Sequence, residues 1–114
     1  MASKFYSSKQ TLLLNEMSKS GDLIFACGPG GVSVNLVGKF TIKYFPEKPE
    51  YRIELEDGTN HVHVDWEKVT RCECSVFHGE GLLTFYNNDE ALFKFYRLAG
   101  EFSKDIQELC GKLS

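Results

Sequence analysis

The chain has 114 residues, of which 42% are hydrophobic and 25% are charged, so we expect one globular domain over residues 1–114 without long disordered segments. The formal net charge is -3, which argues against nucleic acid as a partner because phosphate binding requires a cationic surface. No apolar run of about 18 residues is present, and the N-terminal segment lacks the apolar stretch of a signal peptide. We therefore expect a cytoplasmic protein without membrane insertion.

The order of the predicted elements is one helix, eight strands and one helix. The first helix is predicted over about residues 8–19, and the last from about residue 101 or 103 to residue 110. Apolar runs and alternating segments predict strands at 23–27, 32–37, 40–45, 51–55, 61–64, 71–77, 82–86 and 91–96. Successive strands are joined by short turns, which favours antiparallel pairing and an α+β fold.

The glycine-rich segment Gly28-Pro29-Gly30-Gly31 has two interpretations. Glycines can let backbone amides approach a phosphate, but the chain has no GxxxxGK[ST] motif at this position. The segment also lies between two predicted strands, with no helix start to hold an anion. A turn is therefore the favoured interpretation.

The main candidate for chemistry is His61-Val62-His63, which lies in a predicted strand. Residues two positions apart in a strand point to the same side, so we expect both imidazoles on one side and Val62 and Val64 on the other. Two such rings can offer ligands to a metal ion or to a haem iron. The alternative is a pair of surface histidines hydrogen-bonded to water. Haem binding here would require a sheltered hollow wide enough for a planar macrocycle.

Two other metal sites are conceivable from the spacing. His61-x-His63-x-x-x-Glu67 matches the centre of the first cupin motif, but the glycines and the second motif of cupins are missing. Cys72 and Cys74 share one strand face, and with the two histidines they would make a Cys2His2 zinc site if the strands were neighbours. The spacing is not that of a zinc finger, so small buried core residues are the simpler interpretation. No motif for nucleophilic catalysis is present, and the sequence does not demand an enzyme.

The segment from about residue 50 to about residue 100 resembles the haem-utilisation, or haem-trafficking, proteins of bacterial haem-uptake loci. The similar segments are Asn60-His61-Val62-His63, Asp65-Trp66-Glu67, Leu82–Tyr86, Asn88-Asp89-Glu90 and Leu92-Phe93-Lys94-Phe95-Tyr96. The resemblance implies a large, strongly twisted antiparallel sheet of about eight strands, with the N-terminal and C-terminal helices packed on it.

The resemblance also implies a function for particular residues. Small members of this family resemble single repeats that pair as homodimers, bind haem in the cytoplasm through a histidine and deliver it onward. By position, His61 or His63 would be the axial ligand of the iron, and haem would be both cofactor and partner. Lys94 and Arg97 lie near the matching C-terminal strand, where a cation could pair with a haem propionate.

Two departures from the family pattern leave an alternative open. Some members carry a further ligand histidine where this chain has Pro49 and Glu50, and Asn60 replaces the glycine before the first histidine. The alternative is a non-catalytic homodimeric interaction module that keeps the fold and has lost haem binding.

Overall fold

The computed structural model describes residues 8–28, 31, 33–45, 50–56, 58 and 60–112. Within these residues, two helices and eight strands follow one another in the predicted order, and the α+β class is confirmed. Their bounds are α1 Ser8–Ser18, β1 Leu23–Cys27, β2 Val34–Gly38, β3 Phe40–Phe45, β4 Glu50–Leu55, β5 His61–Asp65, β6 Arg71–Phe77, β7 Glu80–Asn87, β8 Glu90–Arg97 and α2 Lys104–Lys112. A 3₁₀ turn, Trp66–Lys68, joins β5 to β6. The predicted turn at 28–31 falls partly outside the described residues.

The strands are divided between two antiparallel sheets. A five-stranded sheet has the order β2-β1-β8-β7-β6, and a three-stranded sheet has the order β3-β4-β5. Gly38 ends β2 with a φ of 145°, a conformation that side-chain-bearing residues rarely adopt, and β3 starts in the other sheet two residues later. The last three strands form the antiparallel meander predicted from their short turns.

The core lies between the inner faces of the two sheets. The fully buried ring of Phe95 on β8 is 5.2 Å from the ring of Phe25 on β1 and 5.5 Å from that of Phe40 on β3, both in edge-to-face contact. Because Phe40 belongs to the three-stranded sheet, these aromatic contacts hold the two sheets together. Helix α1 adds buried side chains to the same core, namely Leu13, Leu14 and Met17.

Helix α2 packs against β6 and against α1 through its apolar side. Ile106 and Cys110 are buried in that side, and Ser103 Oγ accepts a hydrogen bond of 3.2 Å from the Ile106 N–H as the helix N-cap. The helix continues past the predicted end at Cys110 to Lys112, because Gly111 remains helical. Among the described residues, no helix has the length and apolar character that crossing a membrane requires.

Candidate functional site

The two histidines of β5 lie on the same side of the strand, as the alternation predicts. His61 and His63 are exposed, whereas Val64 is buried and Val62 is half-buried. The two imidazole rings are 5.0 Å apart between centroids and nearly perpendicular, at 87°. The strand therefore presents two neighbouring rings on its outer side and packs its valines against the core.

The pairing of β3, β4 and β5 places charged residues beside these rings. His63 is opposite Arg52, which is opposite Lys43 on the next strand. Cross-strand partners point to the same side of a sheet, so the exposed side of the three-stranded sheet is a continuous surface. We call it the histidine face, and its members are Thr41, Lys43, Phe45, Glu50, Arg52, Glu54, His61, His63 and Asp65.

One carboxylate of the histidine face is shared by two cations. Glu54 Oε2 is 3.4 Å from Lys43 Nζ, and Glu54 Oε1 is 2.8 Å from Arg52 Nε. The Arg52 Nε is buried, and its N–H is not directed at that oxygen as a hydrogen bond requires. The contact is therefore an ion pair rather than a well-formed hydrogen bond.

A second carboxylate of this face binds a histidine. Glu50 Oε2 is 2.8 Å from Nδ1 of His63. A carboxylate accepts hydrogen bonds and does not donate them, so the proton of a neutral His63 ring resides on Nδ1. The lone pair is then on Nε2, which is the state of imidazole that binds a metal. Carboxylates oriented in this way are the usual outer partners of metal-binding histidines.

The histidine face is open. Both rings are exposed, and the His63 side chain retains 54% of its accessible surface, so the described residues of one copy do not form the sheltered hollow that haem binding would require. The physical reason is that both rings stand on the outer side of a three-stranded sheet whose other side meets the core. Two rings on the same side of one strand would not reach opposite faces of one planar macrocycle, so His61 and His63 would not both hold the iron of the same haem.

Lys94 and Arg97 lie on the other sheet. Lys94 on β8 is opposite Ala26, and it lines a cleft of about 310 Å³ together with Tyr96. Arg97 donates from Nε to the carbonyl oxygen of Ser20 at 3.2 Å and from Nη1 to that of Glu101 at 2.8 Å. None of these contacts involves the histidine face. Their pairing with a propionate stays a prediction.

The structure does not bring the cysteine and histidine pairs together. Cys72 and Cys74 are on β6 in the five-stranded sheet, whereas the histidines are on β5 in the three-stranded sheet. Within the described part of the chain, no three His, Cys, Asp or Glu side chains are grouped as a metal site. Cys72 is instead buried against Cys110 of α2, with 2.9 Å between the sulfurs.

The residues that sequence reasoning missed are therefore Glu50, as the partner of His63, and Cys110, as the partner of Cys72. In the sequence, Glu50 stands out only as a residue at the place where some family members carry a ligand histidine. The sequence does carry a signal for Glu50, because a carboxylate at the start of β4 can reach a histidine on β5 if the two strands pair in the observed antiparallel register. Cys110 carried no signal beyond its place on the apolar side of α2.

Known structures share this fold, although no family model matches the chain and no curated protein matches its sequence. A protein from Agrobacterium tumefaciens has a TM-score of 0.65 at 17% identity, covering 93% of this chain and 67% of that one. A protein from Erwinia carotovora has a TM-score of 0.64 at 12% identity, with 93% and 72% covered. The haem-binding protein ChuX has a TM-score of 0.61 at 12% identity, with 93% and 70% covered. The chain therefore has the fold of ChuX, as the resemblance implied.

Proposed function

We propose that this chain binds haem and passes it on, with Nε2 of His63 as the axial ligand of the iron. The observation that carries the proposal is the hydrogen bond between Glu50 Oε2 and His63 Nδ1 at 2.8 Å. It orients the ring and, in the neutral imidazole, places the proton on Nδ1 so that Nε2 is the nitrogen available to a metal. The shared fold with a haem-binding protein supports the same ligand class.

His63 is preferred over His61 because of what faces each ring. Glu54, opposite His61, is already paired with Lys43 and Arg52. Glu50 is directed at His63. A carboxylate that accepts the Nδ1 proton makes the imidazole a stronger donor to a metal, so the two rings are not equivalent ligands.

The open histidine face determines how the macrocycle would be held. One side of the porphyrin would rest on the face, where the row Lys43, Arg52 and His63 puts two cations within two strand spacings of the ligand. On this face Lys43 and Arg52 are the candidates to pair with the propionates, whereas the predicted Lys94 and Arg97 lie on the other sheet. Because the face of one copy does not shelter the macrocycle, a second copy would have to cover the other side of the porphyrin, as in a homodimeric carrier that transfers its ligand in the cytoplasm.

Hemin titration tests the proposal directly. The wild-type protein is expected to shift the Soret band and to saturate at one hemin per chain. His63→Ala is expected to abolish or strongly weaken the shift. His61→Ala is the matched control, because it removes a neighbouring ring from the same strand face and is expected to keep most of the affinity. Loss of binding in His61→Ala alone, or unchanged binding in His63→Ala, contradicts the ligand assignment.

The exposure of both rings favours the second candidate function, a non-catalytic homodimeric interaction module. This candidate predicts a featureless titration at stoichiometric hemin and a dimer in the absence of hemin. Sedimentation velocity with and without hemin distinguishes the two functions. A carrier whose porphyrin is covered by a second copy forms more dimer when hemin is added, whereas the interaction module does not respond to it.

A further inference from the structure

A pair of thiols lies between the C-terminal helix and the sheet. Cys72 on β6 and Cys110 on α2 are separated by 38 positions in the chain, and their Sγ atoms are 2.9 Å apart. Each residue retains only 2% of its accessible surface. A disulfide has an S–S distance of about 2.05 Å, so the two sulfurs need to approach by less than about 1 Å.

An open cleft of about 550 Å³ reaches this thiol pair. Cys72 and Cys110 contribute to its wall, and the remaining lining residues are Glu73, Cys74, Ser75, Gln107 and Gly111. Because both sulfurs are nearly buried, a water-sized reagent suits this site better than a bulky one. Hydrogen peroxide is such a reagent, whereas glutathione disulfide is not.

The chemistry of the pair favours one thiol as the nucleophile. Either sulfur can donate the hydrogen bond between the two thiols, and with Cys72 as the donor this bond lowers the pKa of the Cys110 thiol. The same bond, together with burial, raises the pKa of Cys72. Burial also raises the pKa of Cys74 to about 11. Burial and, to a smaller extent, the carboxylate of Glu73 oppose ionisation of Cys110, but the pKa of this thiol is still lowered.

We propose that hydrogen peroxide converts Cys72 and Cys110 into a reversible disulfide that links α2 covalently to β6. The Cys110 thiolate attacks one peroxide oxygen, the O–O bond breaks, and the product is a Cys110 sulfenic acid with hydroxide as the leaving group. The Cys72 sulfur then attacks Cys110 Sγ, and the S–O bond of the sulfenic acid breaks. The hydroxide that leaves takes the proton of the Cys72 thiol and becomes water, and the first hydroxide takes the proton that the Cys110 thiol had released. In total, two thiols and one peroxide give one disulfide and two waters.

Peptide mapping of peroxide-treated, haem-free protein tests the proposal. Cleavage after Glu73 separates Cys72 from Cys74, so each possible link to Cys110 gives a different peptide pair. The expected result is a loss of two hydrogen atoms, a Cys72–Cys110 peptide pair and complete reversal by dithiothreitol. The same treatment with glutathione disulfide is expected to give little of this product. A Cys74–Cys110 link, or no link at all, overturns the proposal.

Thermal unfolding provides a second readout and the variant controls. The link closes a loop of nearly 40 residues, so oxidation is expected to raise the unfolding temperature of the wild type by about 10 °C. Cys72→Ala is expected to abolish the rise. Cys74→Ala and Cys27→Ala are expected to keep it, since Cys27 lies on β1. A rise that survives in Cys72→Ala overturns the assignment, and the peptide map decides if that variant does not fold. None of these measurements involves haem, so the proposal stands or falls independently of the proposed function.

Discussion

The replacement of Glu50 by alanine is the perturbation that separates an oriented iron ligand from a surface histidine. Glu50→Ala removes the acceptor 2.8 Å from His63 Nδ1 and leaves the ring in place on β5. A hydrogen bond to a charged group contributes about 1.5–3 kcal/mol. The side chains of His63 and Glu50 retain 54% and 26% of their accessible surface, so solvent screening favours the lower end of that range. A loss of about 1.4 kcal/mol corresponds to a tenfold weaker affinity, so we expect Glu50→Ala to bind haem about tenfold more weakly than the wild type.

The assay is the rate and extent of hemin transfer to excess apomyoglobin, measured for Glu50→Ala and for the matched variant Glu54→Ala. Both variants remove one negative charge from β4 on the same face. Glu54→Ala frees Arg52 and Lys43, so we expect it to hold haem at least as tightly as the wild type. Equal weakening in both variants would show an effect of net charge. Wild-type affinity in Glu50→Ala would refute the role of the carboxylate.

Three further predictions concern the fold. Phe95→Ala removes a fully buried ring between the sheets, so the free energy of unfolding in urea is expected to fall by about 3–5 kcal/mol. A decrease below about 1 kcal/mol would contradict the packing of this ring between the two sheets. Gly81→Ala places a methyl group 2.7 Å from the Phe102 backbone nitrogen, so the free energy of unfolding is expected to fall by about 1–3 kcal/mol. An unchanged urea midpoint would contradict this close contact. Glu73 accepts a hydrogen bond from Tyr86 that lowers its pKa below the ordinary 4.5, so its contribution to stability is present above about pH 4.5 and is lost as the pH falls through the folded pKa. The free energy of unfolding of Glu73→Gln, measured at a series of pH values, is expected to fall less on acidification than that of the wild type. The same pH profile in both proteins would contradict this role of Glu73.

The order and type of the elements could be predicted because alternation is a local property of each strand. The segment His61–Asp65 shows this clearly, since the placement of both histidines on one side of the strand and of Val62 and Val64 on the other follows from the sequence alone. The division into two sheets could not be predicted in this way. It depends on β1 pairing with β8, across most of the chain, and on the change of direction at Gly38.

The candidate site was predictable in its ligands and not in their environment. Alternation places His61 and His63 together, but the contact of His63 with Glu50 depends on the register of β4 and β5, which is set by the turn between them. The pairing of Cys72 with Cys110 depends on which side of α2 meets β6, and this is decided by packing between distant elements. The openness of the histidine face likewise follows from the position of the three-stranded sheet.

The identity of the iron ligand is tested most directly by resonance Raman spectroscopy of the reduced haem complex, in protein labelled with ¹⁵N-histidine. The account predicts an iron–histidine stretching band that shifts with the label, disappears in His63→Ala and persists in His61→Ala. It also predicts a lower frequency in Glu50→Ala, because loss of the hydrogen bond at Nδ1 makes the ring a weaker donor. A band that persists unchanged in His63→Ala, or a complex without any band sensitive to the label, would contradict the central claim.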